Sequence, residues 1–259
     1  MPGLADRRLL IVGASSGIGR ALALGAARSG ARVALVARRL ALLEGIVAAA
    51  DGAAAAFPCD VTDPTAVTRM VADATAWLGG LDVVVYATGV APLADLAATT
   101  PAQWQLVLST NVIGAALVTA ASLPHLRRPA ATEDRGDDGG PARGCVAVLS
   151  SHSVGDPWPG LGAYAASKAA LVEFARALRG EEPDVRVLAV TVGDTATPFA
   201  DQWEPRAAGE ALERWLAEGR LCHEVLQPDE VAGAILEALA GGGPDDLVVM
   251  GPTVDPAPS

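Results

Sequence analysis

An α/β chain is expected from this sequence, with a doubly wound parallel sheet and helices on both of its faces. Short, apolar, β-rich runs alternate with longer stretches of helical periodicity along most of the 259 residues. Runs such as Leu81-Asp82-Val83-Val84-Val85 are nearly continuous in apolar character, as strands buried on both faces are. Strands and helices alternating at this spacing imply right-handed βαβ crossovers. Such sheets bind ligands at the carboxyl ends of their strands, beside the switch in strand order.

The first strand candidate, Arg8–Val12, runs through a glycine-rich turn into a helical pattern at 17–29. Arg32–Val36 precedes a helix at 39–50, and Ala54–Pro58 precedes one at 64–77. The latter opens at Asp63-Pro64, with proline in the first turn. Asp82–Tyr86 leads to a long pattern at 101–126 behind Thr100-Pro101, and Cys145–Ser150 to one at 162–180. After Val185–Thr191, residues 198–226 are polar and helical in part, and they lie beyond a strand end, where a substrate lid belongs. A helix at 228–240, opened by Gln227-Pro228-Asp229, and the strand Leu247–Met250 complete the series. Residues 127–144 lack apolar periodicity and are rich in turn formers, so an exposed, mobile loop is expected there. No internal repeat is present. The length suits one large α/β domain or two small ones, and a single domain over 1–259, with 194–226 as its lid segment, is the expectation.

Composition narrows the function classes. A hydrophobic content of 51% excludes disorder. Cys59, Cys145 and Cys222 are odd in number and form no C-x-x-C pair, which reads as reduced thiols rather than a disulfide frame or zinc site. His125, His152 and His223 are scattered outside chelating spacings, so no metal is expected. No apolar run is expected to reach the ~18 to 20 residues of a membrane span. Met1 to Asp6 run straight into a strand, without a signal-peptide pattern. A cytoplasmic protein without a membrane partner is therefore expected. Of the net charge of −11, residues 1–193 carry −1 (16 basic, 17 acidic) and residues 194–259 carry −10 (3 basic, 13 acidic). No basic nucleic-acid footprint exists, and the acidic segment favours a neutral or cationic substrate over a polyanion. Eighteen arginines stand against one lysine, Lys168, which raises the question of what arginine could not do at that position.

The turn after the first strand reads Gly13-Ala14-Ser15-Ser16-Gly17-Ile18-Gly19-Arg20. Glycines there let the backbone approach a pyrophosphate seated on the positive end of the following helix. The plainer alternative is a tight strand-to-helix connection, but the position in a βαβ series favours the phosphate cradle. An acidic residue ending the second strand would hold a ribose 2′-hydroxyl, whereas arginine attracts a 2′-phosphate. Here the sequence is Ala37-Arg38-Arg39, with no acid until Glu44, so NADP(H) is favoured over NAD(H).

Tyr164 and Lys168 are four residues apart in a helical pattern and share one face. Ser151, thirteen residues before Tyr164, closes a strand. A hydroxyl, a phenol and an ammonium can therefore converge at the carboxyl edge of the sheet. A phenol with an ordinary pKa of ~10 is lowered by a nearby positive charge, which would let Tyr164 exchange a proton with a carbonyl oxygen. Ser151 can fix that oxygen, and the compact ammonium of Lys168 can bond ribose hydroxyls as well. His152 and Trp158, between Ser151 and Tyr164, are expected to border a substrate pocket or to serve the loop. Trp203 in the lid is a further pocket candidate, Trp104 reads as packing, and Tyr86 reads as structural or cofactor-adjacent.

Gly13-x-x-x-Gly17-x-Gly19, Asn111, Ser151 and Tyr164-x-x-x-Lys168 together resemble the short-chain dehydrogenase/reductase family. The resemblance reaches to about residue 240 and implies a Rossmann-type, seven-stranded parallel sheet. It also implies a nicotinamide cofactor and an Asn-Ser-Tyr-Lys tetrad acting on a small carbonyl or alcohol. By that match Asn111 holds a helix kink and a water in a proton relay to Lys168. Asp60-Val61 is similar to the family's adenine contact, Gly89 and Gly193 retain glycine positions, and Thr197 resembles the threonine on the nicotinamide carboxamide. The resemblance further implies homodimers or homotetramers through the helices at 101–126 and 162–180. Arg127, Arg128, Arg176 and Arg179 could dock an acyl carrier protein.

The departures are Val12 for the family's threonine, Tyr86-Ala87-Thr88-Gly89 for Asn-Asn-Ala-Gly, Val192-Gly193 for Pro-Gly, and a missing Asp-Gly-Gly ending. Val12 and Tyr86-Ala87 lie on neighbouring strands, where apolar packing can replace lost polar contacts. The leading expectation is an NADPH-dependent ketone or aldehyde reductase, or the reverse oxidation. A nucleotide-binding regulatory or scaffold protein, and a dehydratase or epimerase on the same fold, remain alternatives.

Overall fold

The computed structural model describes residues 2–127, 144–221, 223–241 and 243–253. Seven strands form its sheet: β1 (Arg8–Val12), β2 (Arg32–Ala37), β3 (Ala54–Pro58), β4 (Val83–Tyr86), β5 (Gly144–Ser151), β6 (Val185–Val192) and β7 (Asp246–Val249). Their order is β3-β2-β1-β4-β5-β6-β7, and every pairing is parallel. The Rossmann-type, doubly wound architecture expected from the sequence is present. β1 lies between β2 and β4, so the winding reverses there and opens a crevice at their carboxyl ends.

The continuous apolar strands have a direct physical origin. In β1, Leu9 and Ile11 pack on one side with α1 (Gly17–Arg28), α2 (Leu40–Ala49) and α8 (Pro228–Gly241). Leu10 and Val12 pack on the other with α3 (Pro64–Leu78), α5 (Gly114–Leu126) and α6 (Gly162–Glu181). A period of two sends alternate side chains to opposite faces. Both faces being covered, neither set can be polar.

Two regions differ from the simple strand–helix reading. The long pattern at 101–126 divides into α4 (Pro101–Leu108), a π-helical turn over Ser109–Ile113, and α5. A reciprocal capping box of Thr100 and Gln103 starts it. This stretch also corrects the expectation that no segment has the length and composition of a membrane span. Pro101–Leu126 is 26 residues long with mean hydropathy 1.8, yet here it forms a helical layer packed against α3, α6 and the sheet. In the lid segment, α7 (Pro205–Ala217) starts where the Glu204 carboxylate accepts the N–H groups of Arg206 and Ala207. The predicted loop at 127–144 falls outside the described residues except at its two ends.

Asp82 pins β4 to β1 at the amino edge. Its carboxylate accepts the Arg8 guanidinium at 2.9 Å through both oxygens, and the Arg8 N–H at 2.9 Å. Burial alone would raise this carboxyl. The Arg8 hydrogen bonds, with the charges of Arg8 and Arg7, outweigh burial and hold it at about 2. A folded pKa below the unfolded value of ~3.9 contributes stability above that pH, lost as pH falls toward 2, and is worth about 2 kcal/mol. Denaturant titrations between pH 6 and pH 2 should therefore show a steeper loss of stability in the parent protein than in Asp82→Asn. The variant should be the less stable of the two at pH 6.

Candidate active site

The glycine turn closes tightly over the sheet edge. Gly13 has φ +91°, and a Cβ on it would lie 2.6 Å from the Thr88 nitrogen, so this turn accepts no side chain. Across the crevice, a Cβ on Gly17 would lie 3.1 Å from the Thr197 methyl, which places Thr197 over the turn. Ser16 caps α1 without a side-chain bond, and Ile18 packs onto the core below, so the first N–H groups of the helix face the crevice. The Arg39 guanidinium reaches over the turn to the hydroxyls of Ser15 at 3.2 Å and Ser16 at 3.5 Å. Arg38 lends its charge to Asp60, whose carboxylate accepts the N–H and hydroxyl of Thr62 at 3.0 and 2.8 Å. Val61 is buried beside Gly114. This cradle fits a nicotinamide dinucleotide: bare backbone where a pyrophosphate must approach, a helix N-terminus beneath, and cations at the ribose end of β2.

Three elements deliver the reacting groups. β5 ends at Ser151, and Val192, the last residue of β6, lies beside it in register. Ser153 secures the Ser151 Oγ through its N–H at 3.2 Å and its own hydroxyl at 3.1 Å. The Ser151 hydroxyl neighbours the Tyr164 phenol and acts to lower its pKa. Lys168, one helical turn further along α6, sits with its Nζ 5.6 Å from the Tyr164 ring centre and donates to the Leu149 carbonyl at 2.7 Å. Ser150 returns a hydrogen bond to the Lys168 carbonyl at 3.1 Å, tying α6 to β5.

Asn111 is fully buried in the π turn. Its Oδ1 accepts the Val90 N–H at 2.8 Å, and its Nδ2 donates to the Val90 carbonyl and the Ser167 hydroxyl, each at 2.9 Å. A Cβ on Gly89 would lie 3.4 Å from the Lys168 Nζ and 3.6 Å from the Asn111 Oδ1. The bare Gly89 thus leaves both polar groups facing one gap. All four residues picked from the sequence meet at the carboxyl edge.

One electrostatic expectation is corrected. Burial pushes the Tyr164 phenol up to about 12, against the lowering effect of Ser151. Burial also pushes the Lys168 ammonium down to about 8. Desolvation therefore dominates both groups, and the neighbouring cation does not bring the phenol down. At neutral pH this pair is a phenol and an ammonium.

The lid encloses the site with aromatic rings. Phe199 stands 5.1 Å from Tyr164, Trp203 6.0 Å from Phe199, Trp215 6.1 Å from Trp203, and Trp158 5.0 Å from Trp215. Trp203 donates to the Ala91 carbonyl at 2.6 Å and Trp215 to the Pro159 carbonyl at 2.9 Å, so two indoles clamp the lid to the body. Trp203 also lines a cavity of about 320 Å³ with Val90, Leu93 and Gln103. His152 meets Trp158 edge-on at 5.3 Å, and its Nε2 lies 3.8 Å from Asp194. Burial raises the Asp194 carboxyl, opposed by His152 and His223. The lid's two ends are zipped together: Leu226 N–H donates to the Asp194 carbonyl at 2.8 Å and Ala196 N–H to the Leu226 carbonyl at 2.9 Å.

Some participants escaped the sequence reading. Ser167, Phe199 and Asp194 carry no motif of their own, although Ser167 lies inside Tyr164-x-x-x-Lys168. Ser153 is a rival to Ser151 by position and proves to be its hydrogen-bond partner. The proposed carrier-docking arginines are engaged within the chain. Arg127 pairs with Glu182, Arg176 with Glu173 and Arg179 with Asp246, while Arg128 lies outside the described residues.

Known proteins resemble this chain in sequence and in fold. The short chain dehydrogenase family model matches residues 7–208. Glycine betaine reductase ATRR of Emericella nidulans is 34% identical over 241 residues, which are 91% of this chain and 18% of that protein. Dehydrogenase/reductase SDR family member 2, mitochondrial, of Homo sapiens is 31% identical over 238 residues, 90% of this chain and 79% of that protein. The chain thus spans less than a fifth of the first relative and about four fifths of the second. Among solved structures, the 3-ketoacyl-(acyl-carrier-protein) reductase from Brucella melitensis complexed with NADH superposes with TM-score 0.81 at 25% identity. That superposition covers 96% of this chain and 98% of the other.

Lys168 is the chain's only lysine, which makes its titration directly observable. Protein labelled with 13C-lysine should give one side-chain signal whose titration midpoint is near 8, well below the ~10.4 of a free lysine. A midpoint at the free value would contradict the burial that lowers it.

Proposed function

The chain belongs to the short-chain dehydrogenase family of oxidoreductases, and on that premise we propose that it reduces a ketone or aldehyde to an alcohol with NADPH. The convergence of Ser151, Tyr164 and Lys168 at the mouth of the glycine cradle carries this reading. The residues that would hold the dinucleotide are the Gly13–Gly19 turn with Ser15, Ser16 and Ile18, then Arg38 and Arg39, Asp60 and Val61, Gly89, Lys168, Gly193 and Thr197. When bound, NADPH supplies the two electrons and the hydrogen that reduce the carbonyl carbon.

The chain's own groups supply the rest. Ser151, steadied by Ser153, donates a hydrogen bond to the substrate oxygen and aims it at Tyr164. Tyr164, a neutral phenol with its pKa pushed up to about 12, gives its proton to that oxygen as negative charge develops there. At neutral pH the phenol therefore carries the proton that the reduction needs. Lys168 holds a positive charge beneath the phenol and bonds the cofactor ribose. Asn111 keeps the gap beside Gly89 polar, so that a proton can return to Lys168. His152, Trp158 and Trp203 border the substrate, and the net charge of −10 over residues 194–259 favours a neutral or cationic one.

Arg39 over Ser15 and Ser16, with no acid at the end of β2, supports NADPH over NADH. The Brucella neighbour was solved with NADH, so both nucleotides belong in the test. Leu106 and Ile113, exposed by 45% and 51% on the 101–126 stretch, support assembly through that face.

A panel of carbonyl compounds with either nucleotide tests the reading. Tyr164→Phe should lower kcat by ~10²- to 10⁴-fold while NADPH still binds in a fluorescence titration. Full turnover in that variant would remove the assignment. Arg39→Ala should raise KM for NADPH by about tenfold or more and leave KM for NADH within about twofold. In the parent, kcat/KM for reduction should be flat below and fall above pH about 8, as Lys168 loses its proton.

A further inference from the structure

The π turn that carries Asn111 is braced by a side chain to which neither the motifs nor the reaction assigns a part. A π-bulge holds one residue more than the α-helical turn and releases carbonyls from the i→i−4 ladder. In Ser109–Ile113 the Thr110 carbonyl, one residue before Asn111, accepts the Tyr86 hydroxyl at 2.5 Å. Tyr86 ends β4 and is 1% exposed. Burial drives its phenol far above the ordinary range, so it stays a donor at every working pH. The opposite wall is Gly114, the first residue of α5. A Cβ there would stand 2.5 Å from the Tyr86 Oη and 2.9 Å from the Val61 side chain. Tyrosine and glycine thus form a peg and its notch.

We propose that Tyr86 is a positioning residue for the reaction: by holding the Thr110 carbonyl it keeps the π turn open and the Asn111 carboxamide aligned on Val90, Ser167 and the gap shared with Lys168. The position is informative because the related family pattern has asparagine where this chain has Tyr86. The ordinary way of setting the neighbouring strands by polar contacts is replaced here by a phenol that reaches the bulge itself. Without the hydroxyl, the Thr110 carbonyl loses that donor and the turn drifts toward α-helical register. Each residue of drift rotates a helix by ~100°, enough to swing the carboxamide away from its three partners. A tyrosine that merely fills the core would need no hydroxyl.

This inference rests on the reductase reading, and its test separates the two. Tyr86→Phe keeps the ring and removes the peg, and Gly114→Ala fills the notch and stands in should the first variant fold poorly. In each, kcat should fall about tenfold, the cost of one hydrogen bond, and in Tyr86→Phe KM for carbonyl and the dissociation constant for NADPH should stay unchanged. The losses should not multiply in the double variant, because both changes break one contact. In nucleotide-free protein, amides 111–115 should exchange about tenfold faster in Tyr86→Phe than in the parent. An unchanged kcat in Tyr86→Phe, losses that multiply, or exchange rates at 111–115 that do not move would overturn the proposal while leaving the reductase reading intact. Retained turnover in Tyr164→Phe is the result that removes the reading itself.

Discussion

The Asn111 carboxamide is the joint on which the site depends. One amide bonds the N–H and the carbonyl of Val90 and the hydroxyl of Ser167. It therefore couples the chain leaving β4, the helical stretch between β4 and β5, and α6. Each of these brings something different to the sheet edge: the bare Gly89, the π turn itself, and Tyr164 with Lys168. A buried amide with its donors and acceptors satisfied is rigid because every alternative placement leaves polar atoms without partners in a medium that cannot solvate them. Precision at the reacting groups thus comes from hydrogen-bond bookkeeping several ångströms behind them.

The chain departs from its family where strands β1 and β4 meet, and the departures compensate one another. Val12 and Tyr86 face each other in register and both belong to the core on the α3, α5 and α6 side. The loss of two polar side chains there is balanced by apolar contact, and the one hydroxyl that Tyr86 brings is spent on a helix carbonyl. The backbone ladder is untouched, since Ala87 still donates to the Val12 carbonyl at 2.8 Å. A motif can therefore vanish from the letters while the geometry it serves is kept by other means.

Much of this architecture is legible in the letters, because period and burial are local properties. Leu9, Leu10, Ile11 and Val12 must all be apolar if helices cover both faces of β1, and a lone lysine one turn after a tyrosine is hard to overlook. The π turn is not legible. Pro101–Leu126 reads as one apolar helix, and a single inserted residue barely disturbs such a pattern. The acidity of Tyr164 is misjudged from sequence for a related reason. Spacing reports the nearby Lys168, whereas the desolvation that outweighs it arises only when Phe199 and the lid close over the phenol. Ser153, Ser167 and Asp194 are ordinary residues whose roles come entirely from what the fold puts beside them.

The zipped ends of the lid have a consequence for how this protein can change. Asp194, Ala196 and Leu226 bring the two stems of the excursion to within one hydrogen bond of each other. The entropy of closing that loop is thereby met at its base, and closure cost grows only slowly with loop length. Material inside the excursion, including Phe199, Trp203 and α7 with Trp215, can be lengthened, shortened or replaced while β6, β7 and the catalytic edge stay where they are. The lid is in that sense a cassette: it can drift in evolution without moving the strand and helix that carry Ser151, Tyr164 and Lys168, so long as Thr197 and a ring in the place of Phe199 are kept.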